Sequence, residues 1–233
     1  MKVKKHNKND SSPYAMIYER PFAVQEASKR LCANVIHITQ DWKSRVIMLT
    51  SSNSGEGKSV ISINLANDLT AAGKKTLLLS CDMWNDSTSE YLKSARGEQT
   101  GLLQLMNGKN KYSECIHNSQ GLYYIGSGKT DNDEMKRMNP EITKRILAFL
   151  SEQFDYVVCD CPPVNAVADT IVLSTLCDGV LFVVRRGIAT KSEVQRSRNA
   201  LSQVGANVIG CVFNDAPTES RGYGYYYGRA YKR

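Results

Sequence analysis

Residues 46–65 read VIMLTSSNSGEGKSVISINL. Val46, Ile47, Met48 and Leu49 form a short apolar run of buried-strand length, and Ser51 to Gly57 follow with small residues that let backbone N–H groups approach an anion closely. Lys58 and Ser59 come next, and Ile61, Leu65 and Leu69 continue an apolar helical face beyond them. A strand, a glycine-bearing loop and a helix start in immediate succession are the build of a phosphate-binding loop. In such a loop the lysine reaches the β/γ-phosphates, the hydroxyl sits on Mg2+, and the helix turns the positive end of its dipole toward the anion. Ser54, Gly55, Glu56, Gly57, Lys58, Ser59 and Val60 are the expected nucleotide-binding segment. The pattern G-x-x-x-x-G-K-[ST] is met except at Ser52, where the first glycine is usual.

Two carboxylates are placed to serve that loop. Leu77, Leu78 and Leu79 lie in an apolar strand expected over Thr76 to Cys81, and Asp82 follows at its carboxyl end, where open α/β sheets bind ligands. Tyr156 to Cys159 form a second apolar strand that runs into Asp160 and then Cys161-Pro162-Pro163. A carboxylate after such a strand is what a Walker B site needs to hold Mg2+. Helices are expected over Ala23 to Ile38, Leu102 to Met106, Pro140 to Phe149, Ala166 to Cys177 and Thr190 to Val204. Further strands are expected over Leu122 to Ile125, Val180 to Val184 and Val208 to Phe213. Ser127 to Asp133 reads as a polar loop. The alternation of strand and helix gives an α/β fold with a doubly wound, mostly parallel sheet. Asn214 lies just beyond the last strand, where its amide either pairs with a purine edge or serves a turn.

At 233 residues the chain suits one large α/β domain with tails, expected over 21–216, between a disordered basic segment at 1–20 and a flexible tyrosine-rich tail at 217–233. The net charge of +7 owes much to the ends, through Lys2, Lys4, Lys5 and Lys8 and again Arg221, Arg229, Lys232 and Arg233, which suit an acidic partner or an anionic surface. The seven cysteines include no C-x-x-C pair and read as reduced, buried thiols. Cys159 and Cys161 point to one face of a strand without a second ligand pair, which disfavours zinc. With no apolar run of spanning length and a polar N-terminus, the expected location is the cytoplasm or the inner face of the membrane. The chain ends in SRGYGYYYGRAYKR, with too little aliphatic content to pack. Its tyrosines suit nucleic-acid stacking, assembly or phosphate acceptance.

Taken in order, SSNSGEGKS, LLLSCDMW, YVVCDCPPV, DGVLFVVRRG, QVGANVIGCVFN and the tyrosine cluster resemble the cytoplasmic bacterial tyrosine kinases of capsule and exopolysaccharide export. The resemblance covers nearly the whole chain. It implies a P-loop fold and an ATP- and Mg2+-dependent protein-tyrosine autokinase that phosphorylates the tail of a neighbouring subunit. It also implies a transmembrane polysaccharide co-polymerase as activator, self-association, and a cognate tyrosine phosphatase; nucleic acid is not among the implied partners. Carried over, Gly55, Gly57 and Lys58 would hold the phosphates. Ser59, Asp82 and Asp160 would serve Mg2+, with Lys58, Asp82 and Asp160 as the catalytic set. Tyr223, Tyr225, Tyr226, Tyr227 and Tyr231 would be the phosphate acceptors.

The chain departs from that family's pattern at Ser80, where the second acidic motif usually has aspartate, and at Trp84, where it usually has arginine. The spaced glutamate and two arginines thought to join subunits appear as Glu26, Lys29 and Cys32. Two alternatives stand beside the kinase: a catalytically weak ATP-binding partner of the export complex, and a partition ATPase of the ParA and MinD group. The latter normally carries a signature lysine where this chain has Asn53.

Overall fold

The computed structural model describes residues 17, 19–92, 100–119, 121–129 and 138–216. The stretch that opens the reading becomes β1 (Val46–Ser51), with every residue buried. Strands covered on both faces read as continuous apolar runs. The same holds for β2 (Thr76–Ser80) and β5 (Tyr156–Asp160). With β3 (His117–Ser119), β4 (Leu122–Ile125), β6 (Gly179–Arg185) and β7 (Val208–Asn214) they form one sheet in the order β3-β4-β2-β5-β1-β6-β7. All pairs are parallel except β3 with β4. The doubly wound, mostly parallel sheet expected from the sequence is what the chain forms.

Alternation along the strands divides the core. Ile47, Leu49 and Val158 face α1 (Phe22–Ile38) and α2 (Lys58–Ala71), packing with Val35, Ile63, Leu65 and Leu69. On the other face Met48, Leu79 and Val157 meet α4 (Leu102–Met106), α5 (Tyr112–Cys115), α6 (Pro140–Gln153), α7 (Asp169–Leu176) and α8 (Lys191–Gln203). A single turn, α3 (Ser87–Tyr91), follows β2. Local chemistry sets the helix starts. Asn139 accepts the Ile142 N–H ahead of Pro140 at the first helical position of α6, and Thr190 and Glu193 form a reciprocal capping box on α8.

The structure differs from the expected elements in several places. Strand β3 and the short helices α3 and α5 were not legible, because HNS, STSEY and YSEC are too short to show a period. Helix α7 begins at Asp169 and not Ala166, since the Pro163 carbonyl draws the Ala166 and Val167 N–H groups into a turn. Of the expected polar loop, residues 130–133 lie outside the described residues, and 127–129 carry no regular structure. On the amino-terminal side of the boundary expected at Pro21, Ile17 is buried in the core and the Arg20 guanidinium grips Asp68 with bonds of 2.9 and 3.1 Å. Ser28 donates to the same carboxylate.

The cysteines are more clustered than their spacing suggests. Cys81, Cys159, Cys161 and Cys177 share the core layer on the α6–α8 face. Hydrogen bonds from Cys159 and Cys161 pull the Cys81 thiol down from its ordinary range against the effect of its burial. Among the described residues no group of three or more His, Cys, Asp or Glu side chains is arranged to hold a metal ion. Cys211 is exposed, because β7 is an edge strand, so the expectation of buried thiols fails there.

Candidate nucleotide and metal site

The loop after β1 turns through two glycines with positive φ, Gly55 at 82° and Gly57 at 88°, a region that side chains with a Cβ avoid. Gly57 leads directly into α2, whose first residue is Lys58. The loop's backbone thereby meets a helix N-terminus, the arrangement that favours anions. Ser54 and Gly55 are exposed at the loop's tip, while Ser59 and Val60 are half-buried in the first turn of α2. Lys58 is 8% exposed, so its stem is covered by the protein.

The two carboxylates reach this helix start because β2 and β5 are neighbours. Ser80 pairs in register with Asp160, and the Cys81 N–H donates to the Asp160 carbonyl at 2.8 Å. Asp160 is fully buried. It accepts from Thr88 Oγ1 at 2.8 Å and from Ser62 Oγ at 3.4 Å, and the Ser59 hydroxyl also bonds to it. Burial pushes its carboxyl above the usual range, and the Lys58 ammonium is the main opposing influence. Asp82 caps its own turn by accepting the Trp84 and Asn85 N–H groups at 3.2 and 3.0 Å. Burial raises it too, again against Lys58. Lys58 is thus the shared cation of two buried acids.

This donor set fits Mg2+ and a polyphosphate. A hydroxyl and two carboxylates are hard oxygen ligands suited to an ion that keeps waters and phosphate oxygens in its shell. Lys58 and the left-handed glycines suit the anion. The structure brings Gly55, Gly57, Lys58, Ser59, Asp82 and Asp160 together, as their placement at strand ends and helix start requires.

Other expected residues are placed differently. The Glu56 side chain is buried under the loop. Asn214 is the last residue of β7 and not beyond it. Its amide donates to the Glu56 carbonyl at 2.9 Å and its side-chain oxygen accepts from the Asp215 N–H at 2.9 Å. Tyr223, Tyr225, Tyr226, Tyr227 and Tyr231 lie outside the described residues. Thr88 and Ser62 were missed. Ser62 follows Lys58 by one helical turn, a signal that could have found it, whereas Thr88 sits in a stretch without periodicity.

A protein-family profile described as an AAA domain matches residues 44–204. The tyrosine-protein kinase CpsD of Streptococcus pneumoniae is 32% identical over 204 residues, covering 87% of this chain and 88% of that protein. Among solved structures, the BceF tyrosine kinase domain superposes with a TM-score of 0.74 at 27% identity, covering 87% of this chain and 81% of that one. The kinase domain of Escherichia coli tyrosine kinase ETK gives a TM-score of 0.79 over 97% of this chain and 89% of that one, a likeness of fold at 24% identity. With a phosphate loop, two strand-end acids and relatives of this coverage, the chain belongs to the P-loop family of the AAA-domain profile and, within it, to the bacterial tyrosine-protein kinases.

Proposed function

We propose that this protein is an ATP-dependent tyrosine autokinase of capsule or exopolysaccharide production, with the terminal tyrosines of a neighbouring copy as acceptors. The observation that carries the reading is the convergence of Lys58, Ser59, Asp82 and Asp160 on one helix start. Lys58 balances negative charge at the β/γ-phosphates, and Ser59 with Asp160 and Asp82 holds Mg2+. When bound, the ion neutralises charge on the transferring group. The tyrosine oxygen forms the new bond to the terminal phosphorus as the bond to the ADP oxygen breaks. Of the two acids, Asp82 would take the phenolic proton as the new bond forms.

The partners belong to the same reading: a transmembrane polysaccharide co-polymerase that activates the kinase at the inner membrane face, further copies of this chain, and a tyrosine phosphatase that resets it. Among the described residues no helix is long and apolar enough to cross a membrane. The kinase names carried by the relatives and the tail's tyrosines support the reading.

A second reading, an ATP-binding regulatory partner with little catalysis, is favoured by one feature. Ser80 offers a buried hydroxyl where the resemblance expects an acid, and Trp84 is 54% exposed where it expects a cation. Intact mass after incubation with ATP, Mg2+ and a cytoplasmic fragment of the activator separates the two. Phosphate mapped to the tail and absent in Lys58→Met supports the kinase. Binding of ATP without incorporation supports the regulatory partner. ATP-dependent binding to DNA or lipid without incorporation would point to a partition ATPase.

A further inference from the structure

Glu56 is an odd residue for a phosphate loop, since it brings negative charge to a segment that receives negative charge. Its side chain is nevertheless fully buried although its neighbour Gly55 is exposed. The carboxylate is turned away from the helix start and used twice. One oxygen accepts the Asn53 N–H at 2.7 Å, within the loop, and the other accepts the Arg185 N–H at 3.0 Å, at the end of β6. Arg185 returns the contact, its guanidinium donating to the Gly55 carbonyl at 3.3 Å. From the end of β7, Asn214 donates to the Glu56 carbonyl at 2.9 Å. The fit is close enough that a Cβ on Gly57 would collide with the Asn214 amide nitrogen.

Two left-handed glycines leave a loop with many accessible conformations, of which only one aims its N–H groups at a single anion. The bonds from β6 and β7 select among them. We infer that Glu56 is a positioning residue for the nucleotide's phosphates, its carboxylate acting through Asn53 and Arg185, and that Asn214 positions the same loop through the Glu56 carbonyl. This deepens the nucleotide-site reading and rests on it. Glutamine cannot replace Glu56, because its amide would present a donor to one of two N–H groups that both need an acceptor.

The test compares binding of ADP and of inorganic tripolyphosphate, each with Mg2+, by calorimetry on the full chain. The proteins are wild type, Glu56→Gln, Asn214→Ala and the double variant. Tripolyphosphate has no base, so it reports the loop alone. Both single variants are expected to lose about tenfold in affinity for both ligands, the scale of one lost hydrogen bond. The double variant should lose less than the product of the two, because both changes free the same loop. Wild-type affinity for tripolyphosphate in a folded Glu56→Gln overturns the inference. Asn214→Ala that weakens ADP while sparing tripolyphosphate overturns it as well, by making Asn214 a reader of the base. If Glu56→Gln does not fold, Glu56→Asp, which keeps the charge but is one methylene too short to reach both N–H groups, takes its place, and wild-type affinity for tripolyphosphate in that variant overturns the inference. Wild-type protein that binds neither ligand overturns the nucleotide site itself along with this inference. Binding of both, unaltered in the variants, overturns the inference only.

Discussion

Ser80 and Asp160 stand side by side in register on β2 and β5, and they are treated very differently. Asp160 is held by Thr88, Ser62 and Ser59, whereas the Ser80 hydroxyl is fully buried with no hydrogen-bond partner among the described residues. Paired residues of parallel strands point to the same side of the sheet, so Ser80 looks toward the helix start that Asp160 serves.

Ser80→Asp is therefore expected to raise the rate of tail phosphorylation and to lower the stability of the metal-free protein. The new carboxylate adds a third acid to a buried site with one shared lysine, at a cost of about 1–3 kcal/mol. Saturating Mg2+ and ATP should recover most of the lost melting temperature. Initial rates with radiolabelled ATP, together with thermal melts, check both halves. A rate that stays flat or drops while ATP binding survives would move the protein to the regulatory reading.

Lys58→Met should abolish detectable binding of ATP with Mg2+ in calorimetry, because the loop otherwise offers neutral N–H donors. The same change removes the cation that opposes the raised pKa values of Asp82 and Asp160, so both should titrate higher still. Equal nucleotide affinity in the two proteins would defeat the site assignment.

Asp82→Asn tests the cost of a buried acid through pH. Burial raises the folded-state pKa of Asp82, so the acid's protonated form is the one the fold prefers. Relative to the neutral variant, wild type is not penalised below the ordinary carboxylate pKa. The penalty grows as pH rises from the ordinary carboxylate pKa through the raised folded value and is complete above it. Asp82→Asn should therefore be more stable than wild type at pH 7, by on the order of 1 kcal/mol or about 2–4 °C in a chain of this size, and no more stable in acid. Phosphoryl transfer should fall by at least about a hundredfold in the same variant. Melting curves at several pH values that run parallel for the two proteins would remove the argument from burial.

Arg20→Ala should destabilise the fold by about 1–3 kcal/mol, because it leaves the largely buried Asp68 without its bidentate partner. Denaturant melts give the value directly. Stability within error of wild type would show that Ser28 alone satisfies Asp68.

The layered sheet was legible because β1, β2 and β5 are buried on both faces and so carry unbroken apolar runs. Asp82 and Asp160 were legible because each follows such a run. Thr88 was not, since its helix is a single turn and its only claim on the site is proximity to Asp160 across the ends of two strands. The orientation of Glu56 was equally hidden. Its bond to Arg185 joins positions 129 apart in the chain, and a phosphate-loop motif states which residues are present without saying which way a side chain turns. The thiol layer was half visible: strand alternation put Cys159 and Cys161 on one face, but only the pairing of β2 with β5 and the return of the chain after α7 bring Cys81 and Cys177 to them.

That distribution of cysteines makes the protein a clock for its own opening. Of seven free thiols only Cys211, on the edge strand, is exposed, and the other six are buried. A thiol-alkylating reagent should take up one equivalent first and the rest only as fast as the layers above them part. Because Cys32 lies on the buried face of α1, Cys115 in α5 and Cys159 in the central strand β5, the order in which they become labelled separates peeling of either helical layer from rupture of the sheet.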